Sequence, residues 1–161
     1  MDCFDSDGCG VEYRPTGVFV LYRGDFDSME FLIVKSAKES GVWMFPQGGI
    51  MGDEDVVGAF YRELFEELGI EKCDVRLVFR EFHRESVDIR REIFRRDGFR
   101  QGKHYVFSLG EYLGGSDFVL KRDEVVDAKW VGLEDAGKYL NKQRLEILEL
   151  AVYALKRYCS K

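Results

Sequence analysis

Short apolar blocks rich in β-branched and aromatic residues punctuate the first half of the chain, and each predicts a strand. Residues 17–23 (GVFVLYR) form the first and residues 31–35 (FLIVK) the second, with GDFDS between them as a turn. Residues 42–45 form a short third that stops at Pro46, whose missing N–H interrupts a ladder. Residues 47–53 read as a glycine-rich loop. The period then changes. Val57, Phe60, Tyr61, Leu64 and Leu68 recur at helical spacing, so a helix is expected from Asp53 or Glu54 to about Leu68, closed by Gly69. Residues 75–83, 103–109 and 128–133 read as further strands, and Leu145, Leu148, Ala151, Val152 and Leu155 give a last helix over 143–158. Strands that dominate the middle, with two helices, imply an α/β fold with a mixed sheet between helical layers.

At 161 residues the chain suggests one domain, and with 45% hydrophobic residues it can build a packed core. Residues 1–12 are expected to be a flexible tail and 13–161 the domain. No run of about 18 apolar residues predicts a membrane helix, and Met1 to Gly10 lack the pattern of a signal peptide. Cys3, Cys9, Cys73 and Cys159 form no C-x-x-C pair, and with only two histidines they read as reduced thiols of a cytoplasmic protein rather than a zinc site. The net charge of −6 argues against non-specific nucleic-acid binding. Any such contact needs a local basic patch. One candidate is Arg84, Arg90, Arg91, Arg95, Arg96, Arg100 and Lys103, interleaved with Phe94, Phe99 and Tyr105; the alternative is a solvated hairpin.

The densest chemistry lies in Gly48 to Ile70 (GGIMGDEDVVGAFYRELFEELGI). On a helix, Glu63, Glu66 and Glu67 fall within an arc of roughly 100°, and the apolar stripe is centred roughly 120° away. Clustered carboxylates repel, and a hard cation such as Mg²⁺ or Mn²⁺ removes the conflict by taking their oxygens as ligands. Arg62 can pair with Glu66 one turn on or reach back to Glu54. Gly48, Gly49 and Gly52 allow close backbone approach to a ligand. A Glu-rich helix face alone is usually just solvated surface. Fixed spacing is what distinguishes this one: Gly48, Glu54, Arg62, Glu63, Leu64, Glu66, Glu67, Gly69 and Ile70 match G-x5-E-x7-R-E-U-x-E-E-x-G-U throughout, where U is a bulky aliphatic residue.

That pattern resembles the Nudix box. The resemblance implies an α/β/α sandwich with a mixed sheet, a loop–helix–loop box, and hydrolysis of a nucleoside diphosphate linked to a further group. It implies Glu63, Glu66, Glu67 and the Gly48 carbonyl as ligands of Mg²⁺ or Mn²⁺, and Glu54 with Arg62 as a structural ion pair. WMFPQGGI, YRELFEELGI and Tyr13-Arg14-Pro15 are similar to the branch that contains RNA pyrophosphohydrolases and dinucleoside polyphosphate hydrolases. In that branch a Glu precedes a late W-V strand, which here is Glu124, a metal ligand or the general base; Glu66 and Glu67 are the other candidates for the base. Arg14, Lys35, Lys38, Gln47, Lys103 and Tyr139 are the candidate substrate contacts. The expected partner is a nucleotide substrate, either an RNA 5′ end or a dinucleoside polyphosphate, and no membrane. A purely nucleotide-binding role is a third reading, and the sequence leaves the oligomeric state open.

Overall fold

The computed structural model describes residues 13–88, 102–114 and 117–160. The expected tail 1–12, with Cys3 and Cys9, lies outside them, as do Arg90, Arg91, Phe94, Arg95, Arg96, Phe99 and Arg100 of the basic stretch.

Seven strands form one mixed sheet: β1 (Tyr13–Arg23), β2 (Glu30–Ser36), β3 (Trp43–Met44), β4 (Gln47–Gly49), β5 (Val75–Asp88), β6 (Gly102–Tyr112) and β7 (Val125–Gly132). The helices are α1 (Val56–Leu68), α2 (Leu133–Ala136) and α3 (Lys142–Cys159), and a 3₁₀ turn spans Lys72–Asp74. The order across the main path is β3-β2-β1-β6-β5, with β7 on β2 and β4 on β1. β1 runs parallel to β6 from the Tyr13–Gly102 pair to the Tyr22–Glu111 pair, and the other pairings are antiparallel.

The sheet forks. β1 and β2 pair only at Tyr22–Phe31 and Arg23–Glu30. Beyond that point they separate, and the segment carrying β3 and β4 fills the gap, with β3 on β2 and β4 on β1. Phe19 N donates to Pro46 O at 2.8 Å, which fixes the proline between the two short strands. The mouth of this fork holds the cleft described below.

Side chains alternate across the sheet, as a pleated strand requires. Val18, Val20, Tyr22, Phe31 and Ile33 face α3, where Ile147, Leu148, Ala151 and Leu155 cover them. Phe19, Leu21, Leu32 and Val34 face α1 and meet Ala59, Phe60, Leu64 and Leu68. The molecule is therefore the expected α/β/α sandwich. Among the described residues no helix is long and apolar enough to cross a membrane, and Cys73 and Cys159 are exposed free thiols.

Several boundaries differ from the sequence reading. α1 starts at Val56, not at Asp53 or Glu54, because Asp55 caps it: its carboxylate accepts from Gly58 N at 2.8 Å. Gly69 closes the helix at φ 68°, a left-handed conformation that glycine adopts without strain. Residues 47–49 are strand rather than loop, since their backbone pairs with Thr16, Gly17 and Val18. β1 begins four residues earlier than expected, because its parallel ladder with β6 continues past Pro15 to Tyr13. Leu133, expected to end a strand, begins α2.

Close approach of α1 to the sheet depends on Gly110. A Cβ there would lie 2.6 Å from the Phe60 ring and 3.0 Å from Leu21 Cδ2. Gly110→Ala is therefore expected to destabilise the protein by about 1–3 kcal/mol through overpacking. Urea denaturation checks this, and an unchanged midpoint would show that Phe60 moves aside freely.

Candidate functional site

The box builds its own scaffold around Arg62. Its Nε donates to Glu54 Oε2 at 2.7 Å, and Nη2 donates to Glu54 Oε1 at 2.8 Å and to Gly49 O at 2.9 Å. Nη1 donates to Glu63 Oε1 at 2.8 Å and Glu66 Oε2 at 3.2 Å. A guanidinium has five N–H groups, and these five bonds engage them all. Both pairings considered from sequence are thus present together. The fork onto Glu54 is bidentate, the strong geometry for such a pair, and holds the Glu54 carboxyl below its ordinary range. Glu54 also accepts from Met51 N at 3.2 Å, so one carboxylate ties the loop to the helix.

Glu63 reaches the backbone of the preceding loop. A Cβ at Gly48 would run into the Glu63 carboxylate, so glycine is what lets the carboxylate lie against that strand. Gly49 does the same for Arg14, whose Nη2 would stand 3.0 Å from an added Cβ.

Glu67 differs from the sequence picture. The buried positions of α1 are Ala59, Phe60, Leu64, Glu67 and Leu68, so Glu67 lies inside the buried arc rather than on a separate solvent face. It is only 8% exposed, whereas Glu66 has an exposed side chain. Burial pushes the Glu67 carboxyl up to about 8, with repulsion from Glu63 and then Glu124 adding to the rise and Lys121 opposing it.

Glu124 comes from the turn before β7, and main-chain bonds place it. Lys121 N donates to Glu67 O at 2.9 Å and Glu124 N donates to Lys121 O at 2.9 Å, so the turn hangs from the end of α1. Ala37 N donates to Glu124 O at 2.9 Å, which brings up the β2–β3 turn. Lys38 then pairs with Glu124, Nζ to Oε1 at 3.1 Å.

These groups line a cleft of about 260 Å³. Its lining carries Glu63, Glu66, Glu67 and Glu124 together with the cations Arg14, Lys38, Lys103 and Lys121, and also Glu39, Gln47, Gly48 and Gly49. Burial lowers the Lys103 ammonium, and the neighbouring charges of Arg14 and Lys38 lower it further against the pull of Glu39. Cations this close to one another suit a polyanion, whose charge relieves their repulsion. The carboxylates offer the hard oxygen donors that Mg²⁺ or Mn²⁺ prefer. Among the described residues, no three acidic, His or Cys side chains already converge on one point in ligating geometry. Arg62 holds Glu63 and Glu66, and Lys38 holds Glu124. The donor set fits a divalent cation once those side chains turn from their internal partners.

Of the sequence candidates, Gly48, Glu63, Glu66, Glu67, Glu124, Arg14, Lys38, Gln47 and Lys103 meet in the cleft, with Glu54 and Arg62 beneath it. Lys35 and Tyr139 do not line it. Lys35 follows Val34 on β2 and so projects to the α3 face, while Tyr139 packs on Trp43 at 5.6 Å between ring centres. Arg84 of the basic stretch is engaged by Glu81, and His83 and His104 also stand outside the cleft. His104 is buried and bonded to Ser86 at 2.8 Å. Lys121, Glu39, Ser36 and Thr16 line the cleft but were missed. Only Lys121, three residues before Glu124, carried a sequence signal.

A family model described as the NUDIX domain matches residues 13–151. The chain belongs to that family. Among curated proteins it is similar to an RNA pyrophosphohydrolase of Actinobacillus pleuropneumoniae, 43% identical over 56 residues, covering 35% of this chain and 27% of that protein. It is also similar to an RNA pyrophosphohydrolase of Baumannia cicadellinicola, 41% identical over 66 residues, covering 41% of this chain and 39% of the relative. The similarity thus spans well under half the length of those relatives. Among solved structures, the Nudix fold of this chain is similar to a C. elegans Ap4A hydrolase in a binary complex, with TM-score 0.69, 22% identity, and coverage of 89% of this chain and 98% of that one.

The electrostatics of Glu67 set a pH dependence for the metal-free protein. Its folded-state value of about 8 lies above the ordinary carboxyl value of 4.5. The folded state therefore binds more protons across that window, and stability must fall as pH rises through it. In EDTA, Glu67→Gln is expected to abolish most of this slope and to be more stable than the parent at pH 8 by about 1 kcal/mol or more. Thermal melts from pH 5 to 8.5 check the sign; parallel curves for the two proteins would remove the buried-charge account.

Proposed function

We propose that the protein hydrolyses a phosphoanhydride bond with Mg²⁺ or Mn²⁺ as cofactor, and that it releases pyrophosphate from 5′-triphosphorylated RNA ends. The observation that carries the reading is one cleft lined by both Glu63, Glu66, Glu67 and Glu124 and the cations Arg14, Lys38 and Lys103. Polyphosphate cleavage requires both, since the phosphate charge must be neutralised and a hard cation must be held against it. The relatives named RNA pyrophosphohydrolase support the choice of substrate.

Glu63, Glu66 and Glu67, with the Gly48 carbonyl, would hold the cation. When bound it would neutralise phosphate charge and make water more acidic. Arg14, Lys38 and Lys103 bind the phosphate oxygens and orient the chain of phosphates along the cleft. Gln47, beside them, offers an amide to the same group. Glu124 accepts the proton of the attacking water; it stands on a turn of its own, away from the three helix carboxylates. Arg62 remains on Glu54, holding the loop against α1 while the carboxylates reorient. Burial of Glu67 excludes bulk water from the innermost side of the cleft, which strengthens each charge interaction there.

The tetraphosphate bridge of a dinucleoside polyphosphate presents the same oxygens, so the decisive assay sets the two substrates side by side. With Mg²⁺, kcat/KM is expected to be about tenfold higher on a short 5′-triphosphorylated RNA than on diadenosine tetraphosphate, a difference of about 1.4 kcal/mol in transition-state binding. The reverse ratio would assign the protein to dinucleoside polyphosphates, and only failure on a wide panel of phosphoanhydrides would leave a nucleotide-binding protein. Glu63→Gln and Glu67→Gln are expected to keep the fold by circular dichroism and to lose turnover by several orders of magnitude. Normal turnover in either would remove that side chain from the cation site.

A further inference from the structure

The cleft contains one acidic side chain that the chemistry above does not use. Among the described residues, Glu39, Glu63, Glu66, Glu67 and Glu124 are the carboxylates of its lining. The last four are the candidate cation ligands and base. Glu39 comes from the turn between β2 and β3 and is exposed. Its carboxylate forms no ion pair or hydrogen bond among the described residues.

The main chain of the turn holds Glu39 in place. Ser36 Oγ accepts from Lys38 N at 3.1 Å and from Glu39 N at 3.0 Å. Ser36 N donates to Val42 O, and Val42 N donates to Glu39 O, each at 3.0 Å. Ala37 N donates to Glu124 O at 2.9 Å, which fastens this turn to the one before β7. The carboxylate of Glu39 contributes to none of these ties, so its charge can be removed without loosening the turn.

Neighbouring residues of the turn carry opposite charges and act on different members of the lining. Lys38 pairs with Glu124, Nζ to Oε1 at 3.1 Å. Glu39 acts through space on Lys103, where its pull opposes burial and the charges of Arg14 and Lys38. The field of Glu39 therefore falls on cations assigned to the phosphates. A further carboxylate there is unfavourable for a site that takes a polyanion. A repulsive group inside a binding site selects between ligands that differ in what it repels. Each phosphate added to a chain brings about one more negative charge for that field to act on.

We propose that Glu39 is a specificity-determining residue that limits the length of phosphate chain the cleft accepts, by repelling phosphates beyond those that Arg14 and Lys103 neutralise. The proposal rests on the hydrolase reading for what lies in the cleft, and charge selectivity itself is measured without turnover.

Adenosine 5′-(α,β-methylene)diphosphate and the corresponding bis-methylene triphosphate, whose bridges cannot be hydrolysed, are titrated into the full chain with Mg²⁺ by calorimetry. Glu39→Gln removes the charge and keeps the size of the side chain. It is expected to tighten the triphosphate about tenfold and the diphosphate about threefold, moving the ratio of affinities about threefold toward the longer chain. Glu39→Asp keeps the charge on the same turn and should keep the parent ratio. Glu134→Gln removes an equal charge from α2, which follows the end of β7 remote from Glu124, and should leave the ratio unchanged. In turnover, Glu39→Gln should raise kcat/KM on adenosine tetraphosphate more than on ATP, through KM.

An unchanged ratio in Glu39→Gln, weaker binding of the triphosphate by that variant, or an equal shift in Glu134→Gln overturns the proposal. A shifted ratio in a protein that cuts no phosphoanhydride would keep the proposal and remove the hydrolase reading. Turnover with an unshifted ratio would do the reverse, and binding of neither compound by any of these proteins would overturn both.

Discussion

The site depends on a single guanidinium. Arg62 engages all five of its N–H groups, on Glu54, Glu63, Glu66 and the Gly49 carbonyl. Without it, α1 would carry Glu63, Glu66 and Glu67 close together with nothing beside them of opposite sign. The loop from Gly48 to Asp55 would also lack its strongest tie to the helix, because its own backbone bonds are few. Glu54 N donates to Met51 O and Ile50 N to Pro15 O, and Arg62 supplies the rest of the closure through Glu54 and Gly49. Lysine could not replace it, since a point charge on a flexible stem has neither the fork nor the donor count. Phe60, Leu64 and Leu68 anchor the other side of the helix against the sheet, so the carboxylates sit on a rigid element. Gly110 permits that anchor by giving Phe60 its space, and Gly48 permits Glu63 to lie against β4.

The position of the cleft follows from the fork in the sheet. If β1 and β2 paired along their full length, the space between them would be closed by a ladder. Because they part after two pairs, the chain from Trp43 to Gly49 can run between them and arrive at α1 from within the sheet. The turn carrying Glu124 is drawn to the same place by main-chain bonds to Glu67 O and from Ala37 N. Five segments distant in sequence thus converge there: the start of β1, the β2–β3 turn, the box, the start of β6 with Lys103, and the turn before β7. No one of them is a site alone.

Much of this was legible in the sequence, and what was not has identifiable causes. The box was legible because its chemistry is encoded at fixed spacing within one helix and its loop, so local geometry suffices to place Glu63, Glu66 and Arg62. Gly69 was legible for the same reason. β4 was not, because it pairs through the backbone of two glycines, and no side-chain pattern marks a strand made of Gln-Gly-Gly. The early start of β1 was hidden by Pro15, which argues against a strand unless a parallel neighbour is known. Lys35 was misplaced by parity: a strand residue points to one face or the other, and the sequence shows two cations without showing that only Lys38, on the turn beyond the strand, reaches the cleft. Tyr139 was misplaced because it lies in the turn between α2 and α3 and packs on Trp43 instead. Glu67 was placed on the ligand side but not seen to be buried, because burial depends on the turn at Lys121 folding over the end of α1. The basic stretch from Arg90 to Arg100 lies outside the described residues, so its part in RNA binding rests on sequence alone.

The protein neutralises its own site, and the strengths of the internal pairs are unequal. Lys38 is largely exposed and meets Glu124 through one contact at 3.1 Å. Such a pair contributes on the order of 1 kcal/mol or less, so a phosphate can take Lys38 from Glu124 at little cost and leave that carboxylate available. The single bonds from Arg62 to Glu63 and Glu66 are similarly exchangeable for a divalent cation, which attracts each carboxylate more strongly than a shared guanidinium does. The bidentate pair with Glu54 has no such competitor and keeps the loop in place during the exchange. On the proposed reading, anion and cation would assist each other. A phosphate on Lys38 would free Glu124, and a cation at the carboxylates would offset the burial and the Glu63 repulsion that raise Glu67. A net charge of −6 would otherwise repel a polyphosphate. On the proposed reading, a cation held by the carboxylates would offset that unfavourable field for the anion beside it.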